Sequence, residues 1–299
     1  MSPDNPTFSV IIPTYERPVQ LSKCLESIAH LDYPKNKFEV IVVDDGSKIP
    51  PEELVNSYTD RLNIRLLTQI NAGPAGARNT GAEKAKGEFL AFTDDDCEPE
   101  QNWLKAFEKE FKRDSDIFLG GYIINALSKN PYSTASQELI NYLYTYYNSD
   151  RNNATFFTSN NIAVKADLFQ KIGGFDVTTL RATAEDREIC DRWVYYGHKM
   201  TYITDAVVFH SHNLSLSQFW RQHFNYGRGA YYFRKVRAIR GQEKVKLEPA
   251  SFYSDLILYP YKRKEIKQKT YISILLVLSQ IANALGFYWE RMLRFFNKN

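Results

Sequence analysis

A chain of 299 residues, 43% hydrophobic and 24% charged, can build one large domain or two small ones and is not a disordered tail. A formal net charge of +3 is too small to imply nucleic-acid binding, and no nucleic-acid partner is expected. Three scattered cysteines, Cys24, Cys97 and Cys190, exclude a disulfide framework and a zinc site, and they point to a reducing compartment.

The first residues, MSPDNPTFSV, lack the charged and apolar regions of a secretory leader, so a cytoplasmic location is expected. FSVIIPTY then reads as a short apolar strand. VQLSKCLESIAHL follows as a helix, with Leu21, Leu25 and Ile28 at helical spacing. FEVIVVDDGS is a second strand that stops at an Asp-Gly turn, and NIRLLTQ is a third. GPAGARNTGAEKAKG reads as a glycine-punctuated helix and GEFLAFTDDD as a fourth strand. In PEQNWLKAFEKEFKR, Trp103, Phe107 and Phe111 share one helical face, with Pro99 suited to the first turn. Near-continuous apolar strands alternating with amphipathic helices predict an α/β fold, a doubly wound, mostly parallel sheet with helices on both faces. From about 121 to 232 the pattern is less regular, and the stretch from Gly121 to Asn160 has no legible period. Its tyrosines, Tyr142, Tyr144, Tyr146 and Tyr147, suit either a stacking surface for a saccharide or lipid carrier, or a core. Beyond 233 the chain turns basic, and KRKEIKQK leads into an uncharged run from Thr270 to Trp289.

In sheets of this kind ligands gather at the C-terminal strand ends, which here read PTYER, VVDDGS and FTDDD. Asp94, Asp95 and Asp96 repel one another. One or two carboxylates before a helix gain about 0.3–1 kcal/mol each from its dipole, but a third adds only repulsion. A calcium-binding EF-hand loop is excluded, because Pro99 stands in place of its glycine and Lys105 in place of its glutamate. An aspartyl-phosphatase nucleophile lacks its further partners. A hard divalent cation fits: Asp94 and Asp96 would share one Mn²⁺ or Mg²⁺ whose other side takes a diphosphate. The ion would then stabilise a departing nucleoside diphosphate.

Five segments carry a resemblance in order: SVIIPTYERP, EVIVVDDGS, NAGPAGARNTGAEKAKGEFLAFTDDD, SNNIAVKADLFQKIGGFD and AEDREICDRW. Together, over about residues 7 to 230, they resemble family 2 glycosyltransferases, inverting enzymes of the GT-A fold. The resemblance implies that Tyr15 stacks near a nucleotide base, with Pro13, Thr14 and Glu16 in the same loop. It implies that Asp45 accepts a hydrogen bond from a uracil-type ring while Asp44 supports the turn, although Asp45 also suits a plain Asp-Gly turn. Arg78 would face the nucleotide or diphosphate, or pair with Asp45. Asp95 would contact ribose or sugar. Inverting transfer needs a base opposite the leaving group, and the family places it at Glu185-Asp186, with Asp186 as base and Glu185 as helper. The same pair could be the acidic first turn of a helix.

His210 and His212, in VVFHSH, would share one strand face, and by resemblance His210 joins the metal or diphosphate site. Trp220, Arg221 and a loop at Tyr226 to Gly229 would border diphosphate or acceptor. Processive members carry Q-x-x-R-W, and here residues 218 to 222 read QFWRQ, which favours transfer of single sugars. The organisation implied is a nucleotide-sugar-binding half (1–120), an acceptor and base half (121–232) and a basic helical extension (233–299). The partners implied are a nucleotide-sugar donor, a saccharide or lipid-linked acceptor, and a membrane surface through 262–296. The uncharged run has about the length of a bilayer span, but Ser273, Gln280, Asn283 and Glu290 form a polar stripe along it, which better suits an interfacial helix or one docked on the domain. Two rivals remain, a nucleotidyltransferase, whose Gly-rich and Arg-containing loop PTYERP lacks, and a non-catalytic binding protein.

Overall fold

The structure, a computed structural model, describes residues 6–177, 183–243 and 247–296. Its strands are β1 (Phe8–Thr14), β2 (Phe38–Asp44), β3 (Ile64–Thr68), β4 (Phe89–Thr93), β5 (Cys97–Pro99), β6 (Phe118–Asn125), β7 (Asn161–Lys165) and β8 (Met200–His210). Its helices are α1 (Pro18–Ala29), α2 (Glu52–Asn56), α3 (Gly73–Lys84), α4 (Trp103–Phe111), α5 (Pro131–Tyr147), α6 (Ala166–Lys171), α7 (Glu185–Tyr195), α8 (Leu216–Ile239), α9 (Ala250–Lys262) and α10 (Lys269–Phe296). The chain divides into two units. One comprises Met1–Ile124, Asn148–Arg181 and Glu185–Ser211, the other Asn125–Tyr147, Ala182–Ala184 and His212–Asn299. The boundaries anticipated at 120 and 232 fall inside β6 and α8.

The first unit is an α/β sheet of order β3-β2-β1-β4-β7-β6-β8-β5. Strands β1 to β4 are parallel, whereas β7 runs antiparallel to β4 and β6, and β5 antiparallel to β8. The doubly covered sheet expected from the alternating pattern is therefore present, with its parallel part confined to the first four strands. Successive strand residues point to opposite faces. Val10, Ile12, Val40 and Val42 pack with Leu21, Leu25 and Ile28 of α1 and with Trp103 and Phe107 of α4. Ile41 and Val43 face the other way, onto Ala77 of α3. A Cβ on Gly81 would lie 2.6 Å from Ile11 Cγ2, so this glycine lets α3 press on the sheet.

Pro99 does not start a helix. It ends β5 opposite Val208, an edge position where a missing N–H costs nothing, and α4 begins at Trp103. Buried Asn161 ties the antiparallel half together. Its amide donates to the Tyr122 and Ala206 carbonyls, and its oxygen accepts from Trp103 Nε1 at 2.8 Å.

The second unit is helical, and part of it lies in the stretch that showed no period. Leu139 and Tyr142 of α5 join Phe219, Phe252, Leu256 and Leu276 in one apolar cluster. The Tyr142 hydroxyl donates to the Phe252 carbonyl, and those of Tyr146 and Tyr147 donate to Glu248. Tyr142 and Tyr144 are buried, so these two pack inside, whereas Tyr147 is half-buried and Tyr146 is 39% exposed. Residues Tyr226 to Gly229 are not a loop but the middle of α8. A Cβ on Gly227 would sit 1.8 Å from the Asn283 carbonyl oxygen, so the glycine there allows close helix packing.

Candidate active site

Parallel pairing of β2, β1 and β4 brings their C-terminal ends to one edge of the first unit. Pro13 is buried within β1 beside Val43, and Thr14 ends the strand opposite Asp44. Tyr15 is 48% exposed. Glu16 adopts a left-handed φ of 56°, a strained conformation held from outside. Its carboxylate accepts from Lys48 N–H, and its own N–H donates to Ser47 Oγ. Asp44 accepts from Ser47 N–H and so forms the turn. Asp45 takes N–H groups from Ala72 and Gly73 at 2.8 and 2.9 Å and the Gln69 amide at 2.7 Å. It thereby caps α3. A carboxylate offers about four acceptor positions, so one remains for a ligand.

The three adjacent aspartates each find a different compensating partner. Arg78 Nη2 donates to Asp94 Oδ1 at 2.5 Å. Thr14 Oγ1 donates to Asp95 Oδ2 at 2.8 Å, and Arg17 Nη1 lies 3.2 Å from Asp95 and 3.1 Å from Asp96. His210 Nε2 is 3.3 Å from Asp96 Oδ1. Burial pushes Asp95 up to about 6 against the pull of Arg17. Burial would lower His210, but the Asp96 carboxylate outweighs it and holds the imidazole above its ordinary value. Asp95 is buried, so a contact with ribose or sugar would have to share the oxygens that Thr14 and Arg17 already use. Arg17 was missed in the sequence. The aspartate triad calls for more positive charge than Arg78 supplies, but nothing in the sequence singles out Arg17 to supply it.

Asp96, Cys97 and His210 place one ligand atom each within 4.8 Å of one another. Burial pushes the Cys97 thiol well up, and hard divalent ions prefer oxygen and nitrogen donors to sulfur. What remains is carboxylate oxygen and imidazole nitrogen, a donor set that suits a hard or borderline divalent ion. His212 lies beyond the end of β8, so it does not share the strand face with His210 that alternation suggested.

Glu185 and Asp186 open α7, directly after Ala184 with its left-handed φ of 70°. Burial, reinforced by Asp186, pushes Glu185 up to about 7. Burial also raises Asp186, opposed by Arg78 and by hydrogen bonds from Ser159, a partner the sequence gave no sign of. Asp186 Oδ1 has no hydrogen-bond partner among the described residues. Arg78, 3% exposed, approaches Glu185 Oε1 at 3.7 Å with Nη1, and it is not paired with Asp45. Its Nε and Nη1 hydrogen-bond to no acceptor among the described residues. Such buried unmet donors are costly and suit a ligand. Trp220 and Arg221 belong to α8 in the helical unit, where Gln222 donates to Ser136 and Tyr226.

The family model described as "Glycosyl transferase family 2" matches residues 9–173. The chain is similar to "Glycosyltransferase AglE" of Haloferax volcanii, 27% identical over 227 residues that cover 75% of this chain and 73% of that one. It is 41% identical over 91 residues to the poly(ribitol-phosphate) beta-N-acetylglucosaminyltransferase TarS of Staphylococcus aureus, a match covering 30% of this chain but 16% of TarS. Among solved structures, the mannosyltransferase PcManGT of Pyrobaculum calidifontis, in complex with GDP-Man and Mn²⁺, shares the fold. It gives a TM-score of 0.64 at 18% identity and covers 93% of this chain and 87% of its own. TarS 1–349 with UDP-GlcNAc gives 0.54 at 18% identity, over 96% and 91%. The α/β fold with its strand-end acids is thus of the GT-A type, and the chain is a glycosyltransferase that belongs to glycosyl transferase family 2.

Proposed function

We propose that this chain is an inverting, non-processive glycosyltransferase. It moves one sugar from a nucleoside diphosphate sugar, a UDP-sugar first, to a hydroxyl of a saccharide or lipid-linked acceptor. The observation that carries the reading is Arg78, which reaches Asp94 on one side and Glu185 on the other. A single buried guanidinium joins the strand-end acids to the helix that bears Asp186. Donor and acceptor chemistry would therefore meet in one place.

Tyr15, with Pro13, Thr14 and Glu16, would form the base-side wall, and Asp45 would accept the ring N–H with its free acceptor position. Asp44 holds that turn. The nucleotide sugars bound by TarS and PcManGT support a donor of this class. Asp94, Asp96 and His210 would hold Mn²⁺ or Mg²⁺, which when bound supplies positive charge for the departing diphosphate. Arg78 would give its unmet N–H groups to the same diphosphate. The acceptor oxygen bonds to the anomeric carbon as that carbon's bond to the diphosphate oxygen breaks. The hydroxyl proton passes to Asp186, on the face opposite the leaving group, so the configuration inverts. Ser159 orients that carboxylate. Gln222, standing where processive members have tryptophan, supports transfer of single sugars. The three cysteines are buried and unpaired, which supports a reducing cytoplasm.

The test is UDP release from a panel of UDP-sugars with Mn²⁺, with and without EDTA. The reading expects turnover that EDTA removes and added Mn²⁺ restores. Tight nucleotide binding with no turnover of any donor would replace it with the binding-protein reading.

A further inference from the structure

Helix α10 is apolar on the face it turns outward as well as on the face it buries. Polar residues sit on its buried face: Ser273 donates to the Ile257 carbonyl, and Ser279 is fully buried. Glu290 is 2% exposed and bonded to Arg228 and Tyr232. The same buried face carries Ile272, Leu275, Leu276 and Ala282, yet a second apolar stripe faces out. Ile274, Val277, Ile281, Leu285, Tyr288 and Met292 follow one another at steps of three and four, and each is between 38% and 58% exposed. At 1.5 Å per residue this stripe runs for about 27 Å. A soluble helix turns such a stripe inward, and an uncovered one of this length marks an interaction surface.

Charge indicates what covers it. Lys264 and Lys267, just before the helix, are exposed and make no ion pair among the described residues, and exposed Arg291 lies near the far end. Trp289 and Tyr271, side chains that favour the headgroup layer, are exposed as well. Basic ends around an apolar stripe complement an anionic bilayer surface. By length and composition Lys269–Phe295 could cross a membrane. The packing argues otherwise. A Cβ on Gly286 would meet the Phe224 carbonyl oxygen at 1.9 Å, so α10 and α8 are in backbone contact at Gly286 as at Gly227. A span would break that contact and carry Glu290 away from its partners.

We propose that α10 is a monotopic membrane-binding helix that lies in the plane of an anionic leaflet, immersing its outward stripe while staying packed on α8. The inference does not depend on which donor the active site takes.

The test is flotation of the full chain with phosphatidylcholine vesicles, with and without phosphatidylglycerol. Wild type is expected to float with the anionic vesicles and to be released in part by salt. The surface variant Ile281→Gln/Leu285→Gln should lose about tenfold or more of that partitioning, while its melting temperature and its UDP release stay unchanged. Lys264→Gln/Lys267→Gln should lose several-fold, and the loss should vanish at high salt. Absence of flotation with either vesicle overturns the proposal. So does a soluble dimer that I281Q/L285Q dissociates, which would make a second copy the partner. Retention in the bilayer after carbonate extraction overturns the in-plane arrangement.

Discussion

If Asp186 is the base proposed above, Glu185 and Asp186 would give turnover a pH dependence whose sign follows from burial. Both carboxyls sit above their ordinary values, Glu185 at about 7, so below neutrality the pair holds a proton that a general base must lose. Turnover is therefore expected to rise as pH climbs through about 7, and Glu185→Gln should move that limb to lower pH by removing the neighbouring negative charge. A pH–kcat profile of the two proteins checks this, and a limb that E185Q leaves in place belongs to another group. At this scale the sequence was informative where charge was dense. Three adjacent aspartates could not pass as ordinary surface, and the E-D pair stood at a helix start. Arg17 and Ser159 were not legible, because a lone arginine in a loop or a serine before two asparagines carries no pattern. Their importance arises only from where the sheet puts Asp95, Asp96 and Asp186.

Among the elements, the parallel strands were readable because residues buried on both sheet faces leave unbroken apolar runs. The antiparallel half was held together by a side chain that no propensity points to. Asn161 makes three buried hydrogen bonds spanning β6, β7, β8 and α4. Replacing it by alanine strands two carbonyls and the Trp103 N–H, and should cost roughly 2–4 kcal/mol. Chemical denaturation measures this, and an unchanged midpoint would show that water replaces the amide. Helix α5 was invisible for a related reason. Its inward face contains Ser133, Ser136, Gln137 and Glu138 beside Ala135 and Leu139, so the apolar period is broken by buried polar groups. The glycines of Tyr226–Gly229 read as a loop because glycine usually does, whereas here Gly227 makes room for another helix.

On the scale of the whole molecule, the two proposals fall on different units. The sheet unit contains every residue assigned to donor, metal and base, from Pro13 to His210, and the helical unit contains the outward apolar stripe of α10. The central claim concerns the first of these: strand-end acids and the E-D pair are one site with separable tasks. Calorimetric titration of UDP in the presence of Mn²⁺ into Asp96→Ala and Asp186→Asn, beside UDP-sugar turnover of each, tests it most directly. D96A should lose both metal-dependent nucleotide binding and turnover. D186N should bind UDP and Mn²⁺ like wild type while kcat falls by roughly 10²–10⁴-fold. Wild-type turnover in either variant, or loss of UDP binding in D186N with its fold intact, would contradict the account.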